Sequence, residues 1–364
     1  MRHFGHLGAD ARQRLFLSEP APFDRHSAAG TLATALGATL YCPATRPALA
    51  EDLRKQAARG VTSMVLCLED AIAEGEVAGA ERNLVEQLCG LRPVDRLPLL
   101  FVRVRTPGQI TGLVRRLGPA AGLLSGFVLP KFTDQDGAEY LERLVAAEQA
   151  CGQRLFAMPV LESPVLAHLE SRRARLFGIA ALLDRYRERV LAVRLGVTDL
   201  CSAYGLRRSA GVTVYDLAVV AGVIGDVVNV LGRSDGTGYT VTGPVWEYFG
   251  VEGLLRELEL DRVNGLVGKT CIHPGQVPVV HARSVVTHEE YCDAGDVLVQ
   301  QRRGGGARRS AYTNKMNEAG PHRAWAERVM RRAEVFGVAR AGVGFAELLA
   351  AASGAELGVL AGAR

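Results

Sequence analysis

The chain has 364 residues, 48% of them hydrophobic and only 6% aromatic, with 43 basic against 39 acidic side chains and a net charge of +4. That length fits one large domain or two medium ones with material for a sizeable core, and so mild a charge gives no footing for nucleic acid as a partner. No apolar run reaches transmembrane length and the opening Met1-Arg2-His3-Phe4-Gly5-His6 lacks a signal-peptide core, so the expectation is a cytoplasmic protein without a membrane partner.

Residues 1–36 read as an irregular extension that packs on a barrel or on a neighbouring subunit. From there strands and helices alternate. Strands are predicted at 39–42, 61–68, 97–104, 126–129, 155–161, 190–195, 239–242 and 265–272. Helices are predicted at 47–59, 77–89, 109–117, 134–150, 165–187, 214–230 and 251–258. Asp134 is the expected cap of its helix, and the helix at 165–187 is expected to break near Gly178. The run Met64-Val65-Leu66-Cys67-Leu68 is apolar at every position, as in a strand covered on both faces. Repeated β-α units imply a parallel sheet with right-handed crossovers. Eight of them fit a (β/α)8 TIM barrel over 37–275 better than an open sheet, and no GxGxxG follows the first strand. Residues 276–364 form a helical appendage: a helix over 276–300, a flexible basic loop at Arg302–Arg309, an amphipathic helix over 324–336 and a Gly/Ala-rich tail. The seven cysteines are odd in number and include no CxxC pair, which suits reduced thiols rather than disulfides or a zinc site.

In such a barrel the chemistry sits where strands end. Two runs, Leu161-Glu162-Ser163-Pro164 and Gly196-Val197-Thr198-Asp199-Leu200, each read as an apolar strand closing on an acid. Their acids lie 37 residues apart, about one strand–helix–strand unit. Adjacent parallel strands would bring both to one edge, where Mg²⁺ takes one or two carboxylates from protein. The same residues also read as a helix cap and a solvated turn. The other strand ends carry Arg46, Glu69, Asp70, Arg103, Arg105, Lys131, Lys269 and His273, a charged set that a purely structural barrel has no reason to gather. Trp246 and Glu247 sit in the seventh loop and are candidates for substrate specificity. The arginines at 302–309 have a single nearby aromatic, Tyr312, too little for a nucleic-acid surface but enough to grip a phosphate-bearing CoA or nucleotide moiety.

Seven motifs in order carry a family resemblance: Tyr41-Cys42-Pro43-Ala44-Thr45-Arg46-Pro47, Leu68-Glu69-Asp70-Ala71-Ile72, Val102-Arg103-Val104, Leu129-Pro130-Lys131, Leu161-Glu162-Ser163-Pro164, Gly196-Val197-Thr198-Asp199-Leu200, and the stretch Gly265-Leu266-Val267-Gly268-Lys269-Thr270-Cys271-Ile272-His273-Pro274-Gly275-Gln276. The chain resembles the citrate lyase β-subunit / HpcH–HpaI aldolase superfamily. It looks most like a divergent branch of C–C bond lyases found near tellurium-resistance genes. The resemblance implies a Mg²⁺-dependent carbon–carbon lyase or synthase, with Mn²⁺ as an alternative ion, acting through an enolate on a 2-oxo acid or an acyl-CoA-like substrate. It assigns Glu162 and Asp199 to the metal and Arg103 to the developing charge, with Arg105 as the fallback. Asp70, and with it Glu69, would orient Arg103 or metal-bound water, and Arg46 and Lys131 would meet an anionic substrate tail. Relatives acting on acyl-CoA carry a C-terminal lid with a Lys-Met-Ile-Asp motif. Lys315-Met316-Asn317-Glu318 corresponds to it, which implies Glu318 as the acid/base group, with His322 as a second candidate in the same loop. The resemblance also implies a homo-oligomer, a trimer or hexamer. The alternative is a barrel that binds an anionic metabolite as a subunit of a biosynthetic complex, with little turnover of its own.

Overall fold

The computed structural model describes residues 1–92, 97–312 and 314–354. The chain divides into two compact units, Leu36–Val277 and a second that joins Met1–Ala35 to the segment from Pro278 onward. No described helix is long and apolar enough to cross a membrane.

Leu36–Val277 is a closed barrel of eight parallel strands: β1 Ala38–Pro43, β2 Ser63–Cys67, β3 Leu99–Arg103, β4 Leu124–Leu129, β5 Phe156–Leu161, β6 Val193–Leu195, β7 Val241–Val245 and β8 Val267–Cys271. Each strand pairs with its neighbours in sequence, and β8 closes on β1 with Leu40 opposite Cys271. The strands β2, β4 and β5 are buried at every position, as expected where packed side chains fill one face and a helix layer covers the other. That layer includes α1 Leu49–Ala58, α2 Val77–Cys89, α3 Pro107–Leu117, α4 Gly137–Cys151, α5 Leu169–Asp184, α6 Val197–Ala203, α7 Ala218–Leu231 and α8 Glu252–Val263. Local signals set several ends: α3 opens on Pro107 behind a Thr106–Gln109 capping box, and α4 stops at Gly152 in the left-handed region.

Three local expectations fail for identifiable reasons. Gly196-Val197-Thr198-Asp199 does not end a strand; β6 stops at Leu195 and Asp199 lies in the first turn of α6. Gly178 does not break α5, which is continuous. A Cβ at Gly178 would lie 2.8 Å from the Asp134 carboxyl, so the glycine makes room for that side chain. Asp134 is therefore not the cap of α4, whose first turn follows Asp136; it pairs with Arg175 at 3.3 Å.

The second unit revises the reading of both chain ends. Residues 1–36 are ordered: helices Ala9–Leu15 and Ala29–Ala35 flank a strand, Phe16–Ser18, that pairs antiparallel with Val338–Ala339. The expected helix at 276–300 is two, Gln276–Ser284 and α9 His288–Arg302, the latter capped by the Thr287 hydroxyl accepting from the Glu290 N–H. Helix α10, Ala319–Phe336, packs on α9 through small residues, with Ala294, Val297, Ala326 and Val329 buried between them. The basic stretch at 302–309 is not wholly a loop, because Ala307–Arg309 pairs with Met316–Glu318 as a hairpin. The tail forms a helix, Phe345–Ser353, and its expected continuation beyond 354 lies outside the described residues.

The core of this unit contains two histidines. His3 stacks on Phe336 with ring centroids 4.1 Å apart and meets His281 edge-on at 4.5 Å. Burial pushes the His281 imidazole down to about 3 and holds His3 well below its ordinary value. Both rings stay neutral in the folded state where an unfolded chain would protonate them, near pH 6.5. The unfolded chain then binds more protons, so stability is complete above pH 6.5 and falls as the pH drops toward 3. Denaturant melts should show a loss of roughly 2 kcal/mol from His281 between pH 6.5 and 5, with His3 acting in the same direction. A His281→Leu variant should lose about one proton's worth of that slope.

Candidate active site

The site is built on the carboxyl ends of β2 to β6. Arg103, the last residue of β3, has a side chain only 12% exposed, and its Nη2 reaches three carboxylates: Glu69 at 2.7 Å, Glu162 at 2.8 Å and Asp70 at 3.2 Å. Its Nε–H is buried without an acceptor among the described residues. Lys131, just past β4, approaches from the other side, with Nζ 2.6 Å from Glu69 and 3.3 Å from Asp70. Its φ is 48°, a left-handed conformation that costs a residue with a Cβ about 1–2 kcal/mol. In that conformation the Lys131 N–H donates to Glu162 Oε1 at 2.9 Å.

Glu162 is almost fully buried, and its environment works against its charge. Burial pushes the carboxyl up to about 7; the charges of Asp199 and Glu69 add to the rise, while Arg103 and the Lys131 N–H oppose it. Asp199 is also raised, by burial and then by Asp70. Glu69 is raised, chiefly by burial. Burial pushes Asp70 up as well, but its hydrogen bond with Glu69 and the charges of Arg103 and Lys131 outweigh it and hold the group below its ordinary range.

Four carboxyl groups thus crowd two cations, a formal surplus of two negative charges when all are ionised, with Glu69 and Glu162 buried and Asp70 and Lys131 half exposed. Arg103 and Lys131 both bind Oε1 of Glu162, and Oε2 is turned toward Gly196. A Cβ at Gly196 would come within 2.1 Å of that oxygen, so the bare glycine keeps a space beside it. Among the described residues no group of three or more His, Cys, Asp or Glu side chains forms a ready-made cation cage. Mg²⁺ needs none, since it takes one or two carboxylates and fills its other positions with water and substrate oxygens. The residues present fit such an ion at Glu162 and Asp199.

Other candidates are employed elsewhere. Arg46 is 55% exposed at its side chain and pairs with Asp52 of α1 at 2.8 Å. Arg105 donates to the carbonyls of Glu69 and Ile72, at 3.2 and 2.9 Å, and so clamps the loop that presents Glu69 and Asp70. Lys269 points out of the barrel, its Nζ 2.6 Å from Glu257 and 2.7 Å from Asp261 of α8. Trp246 is buried rather than lining an open pocket: its indole N–H donates to Gly250, and a Cβ at Gly253 would lie 2.2 Å from its ring. The Glu247 carboxylate is taken up by Thr198 and Arg208. His273 accepts the Gly275 N–H, which makes it a turn residue. Glu318 and His322 belong to the second unit, where His322 Nδ1 accepts the Glu318 backbone N–H at 2.9 Å at the head of α10. Lys315 is bound there to Asp293 at 2.7 Å.

Tyr41 and Arg194 are missing from the sequence-based set. Arg194 of β6 reaches Thr270 of β8 at 2.6 Å and Met158 of β5, and its Cζ lies 5.5 Å from the ring of Tyr41 on β1. A side chain touching strands on opposite sides of the barrel lies inside it. The signal was available: a lone arginine interrupts the apolar run Leu191-Ala192-Val193-Arg194-Leu195.

A closed parallel barrel that gathers acids, a guanidinium and an ammonium at its strand C-termini has the layout of a TIM-barrel enzyme. The model of the C–C bond lyase family of the TIM-barrel fold matches residues 30–338, and the chain belongs to that family. It is 26% identical over 329 residues to an L-malyl-CoA/β-methylmalyl-CoA lyase of Cereibacter sphaeroides, covering 81% of this chain and 94% of the relative. A lyase of the same description from Rhodobacter capsulatus is 24% identical over 316 residues. Among solved structures, the CitE protein of Mycobacterium tuberculosis in complex with magnesium, acetoacetate and coenzyme A is similar, with a TM-score of 0.55, 25% identity and coverage of 82% of this chain and 97% of that one. The family resemblance carried by the ordered motifs is borne out at this level.

The Gly196 contact gives a direct test. Gly196→Ala drives a methyl into the Glu162 carboxylate, so it should cost about 1–3 kcal/mol in urea melts. It should also weaken binding of a divalent cation to the metal-free protein, read by calorimetric titration.

Proposed function

We propose that the barrel is a Mg²⁺-dependent carbon–carbon bond lyase, or a synthase in reverse, working through an enolate on a 2-oxo acid or a CoA-linked acyl substrate. The observation that carries the reading is the crowding of Glu69, Asp70 and Glu162 onto Arg103, with Asp199 close enough to raise Glu162 further. A simple anion-binding barrel has no use for four carboxylates beside its guanidinium. The related lyases act on malyl-CoA, and the similar CitE structure holds magnesium with coenzyme A, which supports a CoA-linked substrate here.

Glu162 and Asp199 would hold the ion, which when bound supplies Lewis-acid stabilisation of negative charge on a substrate oxygen. Arg103 is fixed by its three carboxylates, so its positive charge stands near the same oxygen without having to reorganise. In cleavage the carbon–carbon bond breaks and its electron pair moves onto the carbon next to the carbonyl and out to the carbonyl oxygen. The departing fragment's hydroxyl becomes a carbonyl as its proton passes to water in the site, and the enolate carbon then takes a proton from water to complete the second product. Lys131 and Arg103 keep Asp70 ionised, and Asp70 braces the guanidinium in return.

The test is exchange of methyl protons of pyruvate or acetyl-CoA for deuterium, followed by NMR. Exchange should require Mg²⁺, stop with EDTA and fall at least about 100-fold in Glu162→Gln, Asp199→Asn and Arg103→Met proteins. Full exchange in any of the three, with Mg²⁺ still bound, would sink the assignment of that residue. Absence of exchange in the unaltered protein with both substrates would favour the non-catalytic binding barrel.

A further inference from the structure

The metal reading leaves unexplained how Asp199 is aimed. It lies on α6, a helix of seven residues. A helix that short has little stability of its own in water and takes its orientation from outside contacts. Within the barrel the Gly196 N–H donates to Leu161 at 3.2 Å, and Val197, Leu200 and Cys201 are buried, so an apolar face seats the helix. The side chain next to Asp199 supplies a second tether. Thr198 Oγ1 donates to Glu247 Oε1 at 2.9 Å, across to the loop that follows β7.

Glu247 is itself held. Its Oε2 accepts from Arg208 Nε at 3.1 Å, and Arg208 has a side chain only 1% exposed. The remaining guanidinium donors bind Glu257 and the Val245 carbonyl, and the plane lies over the Trp246 ring, with Cζ 5.0 Å from its centre. Glu257 is fully buried and also accepts from Lys269 at 2.6 Å and from the Val214 N–H at 2.9 Å. Lys269 in turn binds Asp261 at 2.7 Å. This network joins the loop after β6, the loop after β7, α8 and β8. Every buried charge in it has a partner, which is the condition for such a group to stay in place. Glu247 is its outermost member and touches nothing that reacts.

We propose that Glu247 is a positioning residue for Asp199, acting through the Thr198 hydroxyl and anchored by Arg208. Its part in the chemistry is to set the direction of a metal ligand rather than to choose a substrate. The inference rests on Asp199 holding the ion, and the experiment separates the two claims.

Mg²⁺ is titrated calorimetrically into the metal-free, full-length protein. Thr198→Val keeps the shape of an exposed side chain and removes its donor, so the fold should be unaffected, with a melting temperature within a few degrees. Affinity for Mg²⁺ should fall about tenfold in Thr198→Val and in Glu247→Ala, as when the support of a metal ligand is removed. Thr198→Ser, which restores the donor, should return it to within about twofold. Asp199→Asn is the control and should abolish binding at that site. If Asp199→Asn abolishes binding while Thr198→Val binds normally, the positioning role is wrong and the metal assignment stands. If Asp199→Asn binds normally, the metal assignment fails and the positioning role fails with it.

Discussion

One guanidinium organises the catalytic end of the barrel. Arg103 Nη2 lies within 3.2 Å of carboxylates delivered by the ends of β2 and β5. Without it, the buried Glu69 and Glu162 would be left as unpaired charges, each costing several kcal/mol, with the half-exposed Asp70 repelling them. With it, they remain together, but the balance stays negative. The resulting site is under electrostatic tension that a dication relieves, so the same contact explains both why the acids tolerate each other and why the barrel has use for a metal.

Two charged networks in the barrel show how their balance separates function from structure. The one around Lys269, Glu257, Asp261 and Arg208 is buried and closed, each charge answered by a neighbour. The one around Arg103 and Lys131 is open, with acids in surplus and a guanidinium donor unused. Lys131 and Lys269 both read from the sequence as charged residues at strand ends, and nothing in residue type tells them apart. One faces the site, the other faces the helix layer. Lys269 lies within β8, where the pleat turns it to the helices, whereas Lys131 lies just past β4 and reaches the site from a left-handed turn.

Much of the fold was legible because a barrel strand is continuous in its apolarity and its helices are punctuated by Pro, Gly and capping groups. The charged strand ends Glu69, Asp70, Arg103, Lys131 and Glu162 were legible for the same reason. What failed was read from local sequence where distant contacts decide. Gly196-Val197-Thr198-Asp199 is too short for its period to tell strand from helix. Gly178 looked like a break until its space proved to be taken by Asp134. Trp246 sits in a loop by sequence, yet it packs into a gap that Gly253 leaves. The first 35 residues carry no strong period, since their order comes from residues near the other end of the chain.

That last pairing bears on how the molecule comes into being. Phe16 is matched with Ala339, and Val338 with Ser18. At translation speeds of about 5–20 residues per second, the opening segment waits roughly 15–60 s for its partner to be made. All eight barrel strands leave the ribosome in that interval, and each pairs with the strand made just before or just after it. Residues 1–35 are thus made ahead of the barrel yet among the last parts of this chain to reach their final place, where His3, Phe4 and Phe16 are all buried.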